Sequence, residues 1–256
     1  MPSVSPGPHW LEQLHARAQR EPLRPRVPLT WMDRRIGSAE PQVLRSLKLP
    51  LLSDTEDGFE LGGDLTASLA HVAHALHEHG YVPAWRGEQL AVRDDAGALL
   101  GTVERGAVRL LGIPTQAVHL LGFAPDGDHW LQQRSFDKPD DPGLWDTLMG
   151  GMVAASERVE DTLERETWEE AGLELRQLQA LAPGGEIVTR RPSANVPHGY
   201  VVERLTWFRC VLPDGVEPVN RDGEVAQFRR MPVHEVRERL DRLEFTIDAA
   251  LMLVSA

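Results

Sequence analysis

The spacing of apolar and polar positions divides this chain into helices with a 3.6-residue period and strands with a period of two. Residues 9–20 (HWLEQLHARAQR) place Leu11, Leu14 and Ala18 on one helical face. Prolines at 22, 25 and 28 force the next stretch to be extended. Residues 40–48 fit a short helix. Residues 66–79 (TASLAHVAHALHEH) predict a second clear helix, with Leu69, Val72, Ala73 and Leu76 on one face and Gly80 at its end. Three strand-like runs follow, at residues 81–85, 89–93 and 99–104, with turns at Arg86-Gly87 and at residues 94–97 between them. Residues 107–111 begin a further strand or helix. The first ~110 residues thus read as a compact α+β unit of ordinary domain size.

The second half begins near Pro114. Residues 117–123 (AVHLLGF) and 129–135 (HWLQQRS) read as paired strands across the turn APDGD. A Pro/Asp-rich loop, DKPDDPGLWD, leads to the glycine pair Gly150-Gly151. Residues 175–181, 186–190, 201–211 and 224–230 are strand-like, and two helices over 232–243 and 245–253 close the chain.

Residues 150–173, GGMVAASERVEDTLERETWEEAGL, hold the densest candidate chemistry. Glu166, Glu169 and Glu170 stand at i, i+3 and i+4. At ~100° per residue they occupy less than a third of a helix circumference. Carboxylates crowded in this way repel one another. A hard divalent cation removes that penalty, because Mg²⁺ and Mn²⁺ prefer oxygen ligands. The neighbouring row of Val159, Leu163, Thr167 and Ala171 would face a core. Glu166 and Glu170 then lie at the seam between buried and open, partly desolvated but reachable by a ligand. Ser156 is expected to cap the helix start, with Glu157, Glu160 and Asp161 in the first turn and Gly172 at the C-terminal end.

Composition narrows the function classes. The 256 residues carry a formal net charge of −12. That balance argues against a general phosphate-backbone binder, so no nucleic-acid partner is expected. A phosphorylated small molecule stays open, since a bound metal inverts the local field. The single cysteine, Cys210, cannot form an intrachain disulfide, which fits a reducing, cytoplasmic location. No run approaches ~18 continuous apolar residues, so no membrane span is expected. The start, MPSVSPGPHW, lacks a basic n-region and an apolar core and reads as a loose end rather than a secretory signal. His71, His74, His77 and His79 crowd the second helix at spacings that can hold zinc, but no cysteine or carboxylate cluster nearby completes such a site.

The central stretch resembles the Nudix box, the signature of Nudix hydrolases: Gly, five residues, Glu, seven residues, then Arg-Glu-aliphatic-any-Glu-Glu-any-Gly-aliphatic. The chain supplies Gly151, Glu157, Arg165, Glu166, Glu169, Glu170, Gly172 and Leu173 at that spacing. Thr167 stands where the family prefers an aliphatic residue. It is β-branched and can still pack, so the departure concerns packing more than chemistry. Outside the box, HLLGF, WLQQRSFDKPDDPGLWD and PVNRDGEVAQFRRM are similar to a Nudix subgroup with an extra N-terminal domain. That subgroup includes the Nudix-like front half of fungal thiamine pyrophosphokinases. The matching residues are Arg134, Lys138, Pro142, Gly143 and Asp146 ahead of the box, and Asp222-Gly223-Glu224-Val225 beyond it.

The resemblance implies an α/β (α+β) fold: a Nudix α/β/α sandwich with a mixed sheet over residues 113–256, preceded by a small α+β N-terminal domain over residues 1–112. It implies a metal-dependent hydrolase that uses Mg²⁺ or Mn²⁺ to cleave a small-molecule diphosphate to a monophosphate. Glu169 and Glu170 would be the inner-sphere ligands, with Glu166 close by. Glu157 and a backbone carbonyl at Gly150 or Gly151 would contribute further. Arg165 would orient Glu157. The general base would be a box glutamate or a distal one. Glu224, between a turn and a strand, is the distal candidate; its other reading is a turn carboxylate beside Asp222. Arg134 and Lys138 are candidates to meet phosphates. The loop TRRPSANVPHGY, with Arg190 and Arg191, is a candidate cover for the site, and Trp130, Trp145 or Phe136 is either a stacking partner or simply buried.

The subgroup points to thiamine diphosphate or its oxidised analogues. ADP-ribose, a dinucleotide and an oxidised nucleotide stay open, as does a homodimer contact through the N-terminal unit. Two other classes share the fold. Isopentenyl diphosphate isomerases need a reactive cysteine in the pocket, whereas Cys210 sits within the strand-like LTWFRCVL. Non-catalytic ligand-sensing or protein-binding modules lose box glutamates, and none is lost here.

Overall fold

The structure is a computed structural model and describes residues 7–82 and 84–256. The loose end expected at residues 1–6 lies outside the described residues. Helix α1 (Pro8–Ala18) comes first, followed by a hairpin of strands β1 (Val27–Trp31) and β2 (Arg34–Ala39). Met32 and Asp33 join them, both with positive φ (48° and 61°). Two left-handed residues match the twist of a tight hairpin. The sequence reading assigned only extended chain here, because the turn lacks the usual Asn-Gly or Asp-Gly.

Helix α2 (Pro41–Leu47), strands β3 (Leu52–Asp54) and β4 (Phe59–Leu61), and helix α3 (Leu65–Glu78) follow. Strand β4 runs parallel to β1 and completes a four-stranded sheet of order β2-β1-β4-β3. The α3 start is capped by Asp64, whose side chain accepts from the Ala67 N–H at 2.9 Å. Leu69, Val72, Ala73 and Leu76 are buried on its inner face. A second hairpin pairs β5 (Gln89–Arg93) with β6 (Leu99–Glu104). These elements share one apolar core, drawn from residues 29 to 113.

Residues 81–85 were expected as a strand; their described members are irregular. The N–H groups of Tyr81 and Val82 both turn back to the Leu76 carbonyl at the end of α3, so they cannot enter a ladder. Trp85 instead stacks on His74, with ring centroids 4.5 Å apart. His71 and His79 face the carbonyls of Ala67 and Ala75 in their own helix. Among the described residues this histidine face joins no metal-ligating group. Residues 105–111 form a 3₁₀ turn, at Arg105–Ala107, followed by further turns.

The larger sheet has seven strands. Its centre is β7 (Thr115–Phe123), parallel to β12 (Tyr200–Val211) on one side. On the other side it pairs antiparallel with β8 (His129–Arg134) and with β10 (Met149–Met152). The two-residue strand β9 (Trp145–Asp146) and β13 (Val225–Met231) flank β8, and β11 (Gln179–Pro192) flanks β12. Ala117, Leu121 and Phe123 enter one core cluster, and Val118 and Leu120 the opposite one. A central strand buried on both faces reads as a continuous apolar run, as AVHLLGF does. Helix α4 (Val159–Ala171) covers one face, and α1 and α6 (Ile247–Ser255) pack on the other with α5 (Val233–Asp241). The result is an α/β/α sandwich with a mixed sheet. Leu14 and Ala18 of α1 are buried in this second core, so the chain's first helix packs against its last.

Two predicted strands, 175–181 and 186–190, form one continuous strand preceded by a 3₁₀ turn (Leu175–Gln177). Bulges around Pro183-Gly184-Gly185 broke the pattern in the sequence. Strand β11 is at the sheet edge, where a proline costs no ladder hydrogen bond. A Cβ on Gly184 would lie 2.0 Å from the Trp207 ring, so glycine is needed there. Among the described residues no helix is long and apolar enough to cross a membrane.

His129 makes a test of the core. It is buried against Phe123, and its Nδ1 has no hydrogen-bond partner. Burial pushes its pKa down to about 4. Between pH 6.5 and 4 the unfolded chain therefore takes up a proton that the native chain refuses. Stability is full above pH 6.5 and falls as the pH drops. At pH 5 this amounts to about 2 kcal/mol. His129→Leu should lose about that much less stability than the parent between pH 7.5 and 5 in denaturant melts. Equal losses in the two proteins would refute the assignment.

Candidate active site

The glycine strand brings the box acids together. Gly150 and Gly151 lie in β10, opposite His119 and Val118 of β7, rather than at a helix start. Helix α4 begins only at Val159. Its cap is Arg158, whose N–H donates to the Asp161 carboxylate at 3.1 Å, and not Ser156 as expected. The extra turn leaves Glu157 outside the helix. Gly172 ends the helix in the left-handed region, with φ 65°. Thr167 is fully buried, and its hydroxyl donates to the Leu163 carbonyl at 2.6 Å, so this polar residue fits the apolar row without an orphan donor.

Both glycines are set by close approach. A Cβ on Gly150 would lie 2.5 Å from the His119 ring, and one on Gly151 would lie 2.3 Å from the Glu166 carboxyl carbon. The Gly150 N–H donates to Glu170 Oε2 at 3.0 Å, and Gln132 Nε2 donates to the same oxygen at 3.0 Å. Lys138 Nζ lies 3.4 Å from Glu170 Oε1 and 2.5 Å from Glu224 Oε2. The lysine thus bridges the box and the distal turn. Glu170, Asp222 and Glu224 each offer an oxygen within 4.8 Å of the others.

A second knot surrounds Arg165. Its Nε and Nη2 donate to the two Glu157 oxygens at 2.8 and 2.9 Å. Its Nη1 reaches Glu166 at 2.8 Å and Glu169 at 2.9 Å. One guanidinium therefore orients three box carboxylates. Burial, with the nearby Glu170 charge, pushes the Glu166 carboxyl up to about 7. Burial also raises Glu170. The Arg165 hydrogen bonds hold Glu157 below its ordinary range. Partial burial raises Glu224, but Lys138 outweighs it and leaves the carboxyl low.

Gly150, Gly151, His119, Lys138, Glu157, Arg165, Glu166, Glu169, Glu170, Asp222 and Glu224 line one cleft of about 580 Å³. The residues proposed from sequence as catalytic, metal-binding or phosphate-binding all lie in it: Arg134, Lys138, Gly151, Glu157, Arg165, Glu166, Glu169, Glu170 and Glu224. Arg134 donates to the Asp140 carbonyl at 3.0 and 3.1 Å and to Asp146 at 3.4 Å, which pins the preceding loop. Arg191 lines the cleft and pairs with Asp248 at 3.1 Å; Arg190 does not line it. None of the three aromatic stacking candidates lines it. Trp145 is buried, Trp130 packs on a core and Phe136 is exposed. Gln132 and His119 also join the site; both fall within the runs WLQQRS and HLLGF that carry the subgroup resemblance, which assigns neither of them a role.

The donors at the acid end are all oxygen, crowded and partly desolvated. Gly151 has no Cβ to fill the space beside Glu166. This chemistry fits a hard divalent cation. Cys210 is fully buried in a core, where burial pushes its thiol up to about 12. It is absent from the cleft lining.

Residues 114–251, just over half of the chain, match the NUDIX domain. The chain belongs to the Nudix family. Over 201 residues it is 29% identical to Nudix hydrolase 24, chloroplastic, of Arabidopsis thaliana, covering 74% of this chain and 52% of that protein. Over 97 residues it is 30% identical to an isopentenyl-diphosphate Δ-isomerase of Saccharopolyspora erythraea, covering 38% of this chain and 50% of that one. The chain spans about half the length of these curated relatives. A crystal structure from Deinococcus radiodurans superimposes with a TM-score of 0.52 at 19% identity, over 65% of this chain and 97% of that chain. That likeness bears on the Nudix fold alone.

Proposed function

We propose that this Nudix protein is a pyrophosphohydrolase that cleaves the diphosphate linkage of a small organic or nucleoside diphosphate and releases a monophosphate. The observation that carries the reading is the convergence of Glu170, Asp222 and Glu224 beside Glu166 and Glu169, in a cleft that also holds Lys138 and Arg134. Mg²⁺ or Mn²⁺ would be held by Glu166, Glu169 and Glu170, with Glu157 and the Gly151 carbonyl beside them. Such an ion supplies charge neutralisation and lowers the pKa of a bound water.

The chain's own residues do the positioning. Arg165 fixes the directions of Glu157, Glu166 and Glu169. The Gly150 N–H and Gln132 fix Glu170. Lys138 and Arg134 stand on the phosphate side, Lys138 meeting the substrate and Arg134 holding the Asp140 segment behind it. The base is drawn from two candidates: a box glutamate such as Glu166, pushed up by burial and the Glu170 charge, or the distal Glu224, which Lys138 keeps low. Glu224 also joins Asp222 in completing the acid cluster.

Residues 1–112 are proposed as a separate N-terminal domain, supported by their own apolar core, with α1 docked on the other domain. The local motifs around Arg134 and Glu224 support thiamine diphosphate or its oxidised analogues as substrate. The test is product release from thiamine diphosphate, oxothiamine diphosphate, ADP-ribose, NADH and oxidised deoxynucleotides, with Mg²⁺ or Mn²⁺. Cleavage of a thiamine compound is the expected result. Cleavage of a nucleotide alone would replace the substrate and keep the chemistry. No cleavage of any would overturn the enzyme reading.

A further inference from the structure

One wall of the cleft comes from neither the glycine strand nor α4. Glu88, Arg105 and Arg109 line it, and all three precede residue 113. Main-chain bonds join this wall to the box. The Ala155 N–H donates to the Gln89 carbonyl at 2.8 Å, and Leu90 forms an antiparallel bridge with Ala154, a few residues before Glu157. The Tyr200 N–H donates to the Arg109 carbonyl at 2.7 Å. The N-terminal unit is therefore tied to the entry of α4 and to the start of β12.

The turn that carries Arg105 is held in place. One oxygen of the buried Glu104 accepts from the N–H groups of Arg86, Gly87 and Gly106, at 2.7, 3.2 and 3.3 Å. Gly106 allows the chain to pass, since a Cβ there would lie 2.7 Å from the Ala84 carbonyl oxygen. Arg105 also bonds Glu88 twice, by its N–H to the carbonyl at 2.9 Å and by Nη1 to the carboxylate at 2.7 Å.

Three other cations of the cleft are more fully engaged: Arg165 holds three glutamates, Lys138 two carboxylates, and Arg134 the Asp140 carbonyl and Asp146. Arg191 gives one N–H to Asp248 and is largely buried. Arg105 contributes only Nη1 to a side-chain contact among the described residues, so the rest of its five-donor fork faces no acceptor there. It is also the most exposed of these cations, at 39%. It shares the cleft lining with Asp222 and Glu224 of the acid cluster. Arg109, beside it in the lining, gives one N–H to Asp140 at 3.0 Å.

A diphosphate in this cleft presents one phosphoryl group to the glutamates and needs a cation for the other. A guanidinium fork fits a phosphate through two parallel N–H···O bonds. We propose that Arg105, backed by Arg109, binds the phosphoryl group that faces away from the glutamate cluster, so that the N-terminal unit supplies part of the substrate site. This rests on the diphosphatase reading above.

The test is the dissociation constant of methylenediphosphonate, whose P–C–P bridge cannot be hydrolysed, measured by calorimetry on the full chain with Mg²⁺ in excess. Arg105→Gln should weaken binding between about tenfold and a hundredfold, as expected for a charged hydrogen-bonded pair. Its melting temperature should stay unchanged. Arg105→Lys, which keeps the charge and loses the fork, should weaken binding several-fold even if Arg105→Gln folds poorly. Arg204→Gln, in an exposed pair with Glu186 outside the cleft, should bind as the parent does. Parent-like affinity in both Arg105 variants would overturn the role of Arg105 and leave the diphosphatase reading standing. No binding by the parent protein would overturn both.

Discussion

Glu170→Gln is expected to remove nearly all hydrolysis while making the metal-free protein more stable. The carboxylate is fully buried and crowded against Asp222 and Glu224, and burial raises its pKa despite Lys138. Such a charge is held against its own desolvation. Glutamine has nearly the same volume. Its amide oxygen can still accept from the Gly150 N–H and from Gln132, so no partner is stranded. Lys138 keeps Glu224. Removing one anion from the cluster should therefore raise stability on the order of 1 kcal/mol. The same change deletes a charge from the proposed cation site and should lower kcat about a thousandfold. Rate measurements with Mg²⁺ and melts in chelator test the two halves together. A variant that keeps its rate would refute the role of Glu170, and one that melts lower would refute the account of its burial.

The helices and the sandwich sheet were legible because their apolar periods are long and clean. Helix α3, the core row of α4 and the doubly buried β7 are all of this kind. What escaped is short or local. Hairpin β1–β2 turns on Met32 and Asp33, residues without a turn signature, and β3 and β4 are three residues each. The start of α4 was misplaced because Ser156 has the chemistry of a cap, whereas Asp161 provides the capping carboxylate three residues inside the true start. Within the site, the box residues were readable from spacing on a helix. Gln132 reaches Glu170 only because β8 lies beside that helix in space. The arginines of the N-terminal unit are invisible to any linear pattern, since Arg105 and the box are brought together by a main-chain contact between Gln89 and Ala155.

Adjacent glycines should give opposite phenotypes, and this follows from what each one touches. Neither has left-handed backbone, so alanine is conformationally allowed at both. At Gly150 the new methyl would meet the buried His119 ring, whose Nδ1 lies 3.0 Å from the Thr147 hydroxyl. A ring so held cannot swing aside. Gly150→Ala should therefore cost stability, about 1–3 kcal/mol as for other overpacked cores. At Gly151 the nearest atoms the methyl meets all belong to the Glu166 side chain, with the carboxyl carbon at 2.3 Å and Cγ at 2.5 Å. That side chain can rotate, so Gly151→Ala should fold normally. Rotation, however, carries the carboxylate away from its bond to Arg165 and from its place beside Glu170. A displacement of this size at a reacting centre costs about a hundredfold in rate. The decisive measurement is a double-mutant cycle. If Gly151 acts only through Glu166, adding Gly151→Ala to Glu166→Gln should lower the rate far less than it does in the parent. Additive losses would mean that the glycine serves the site by another route, and the cradle built around Glu166 would have to be abandoned.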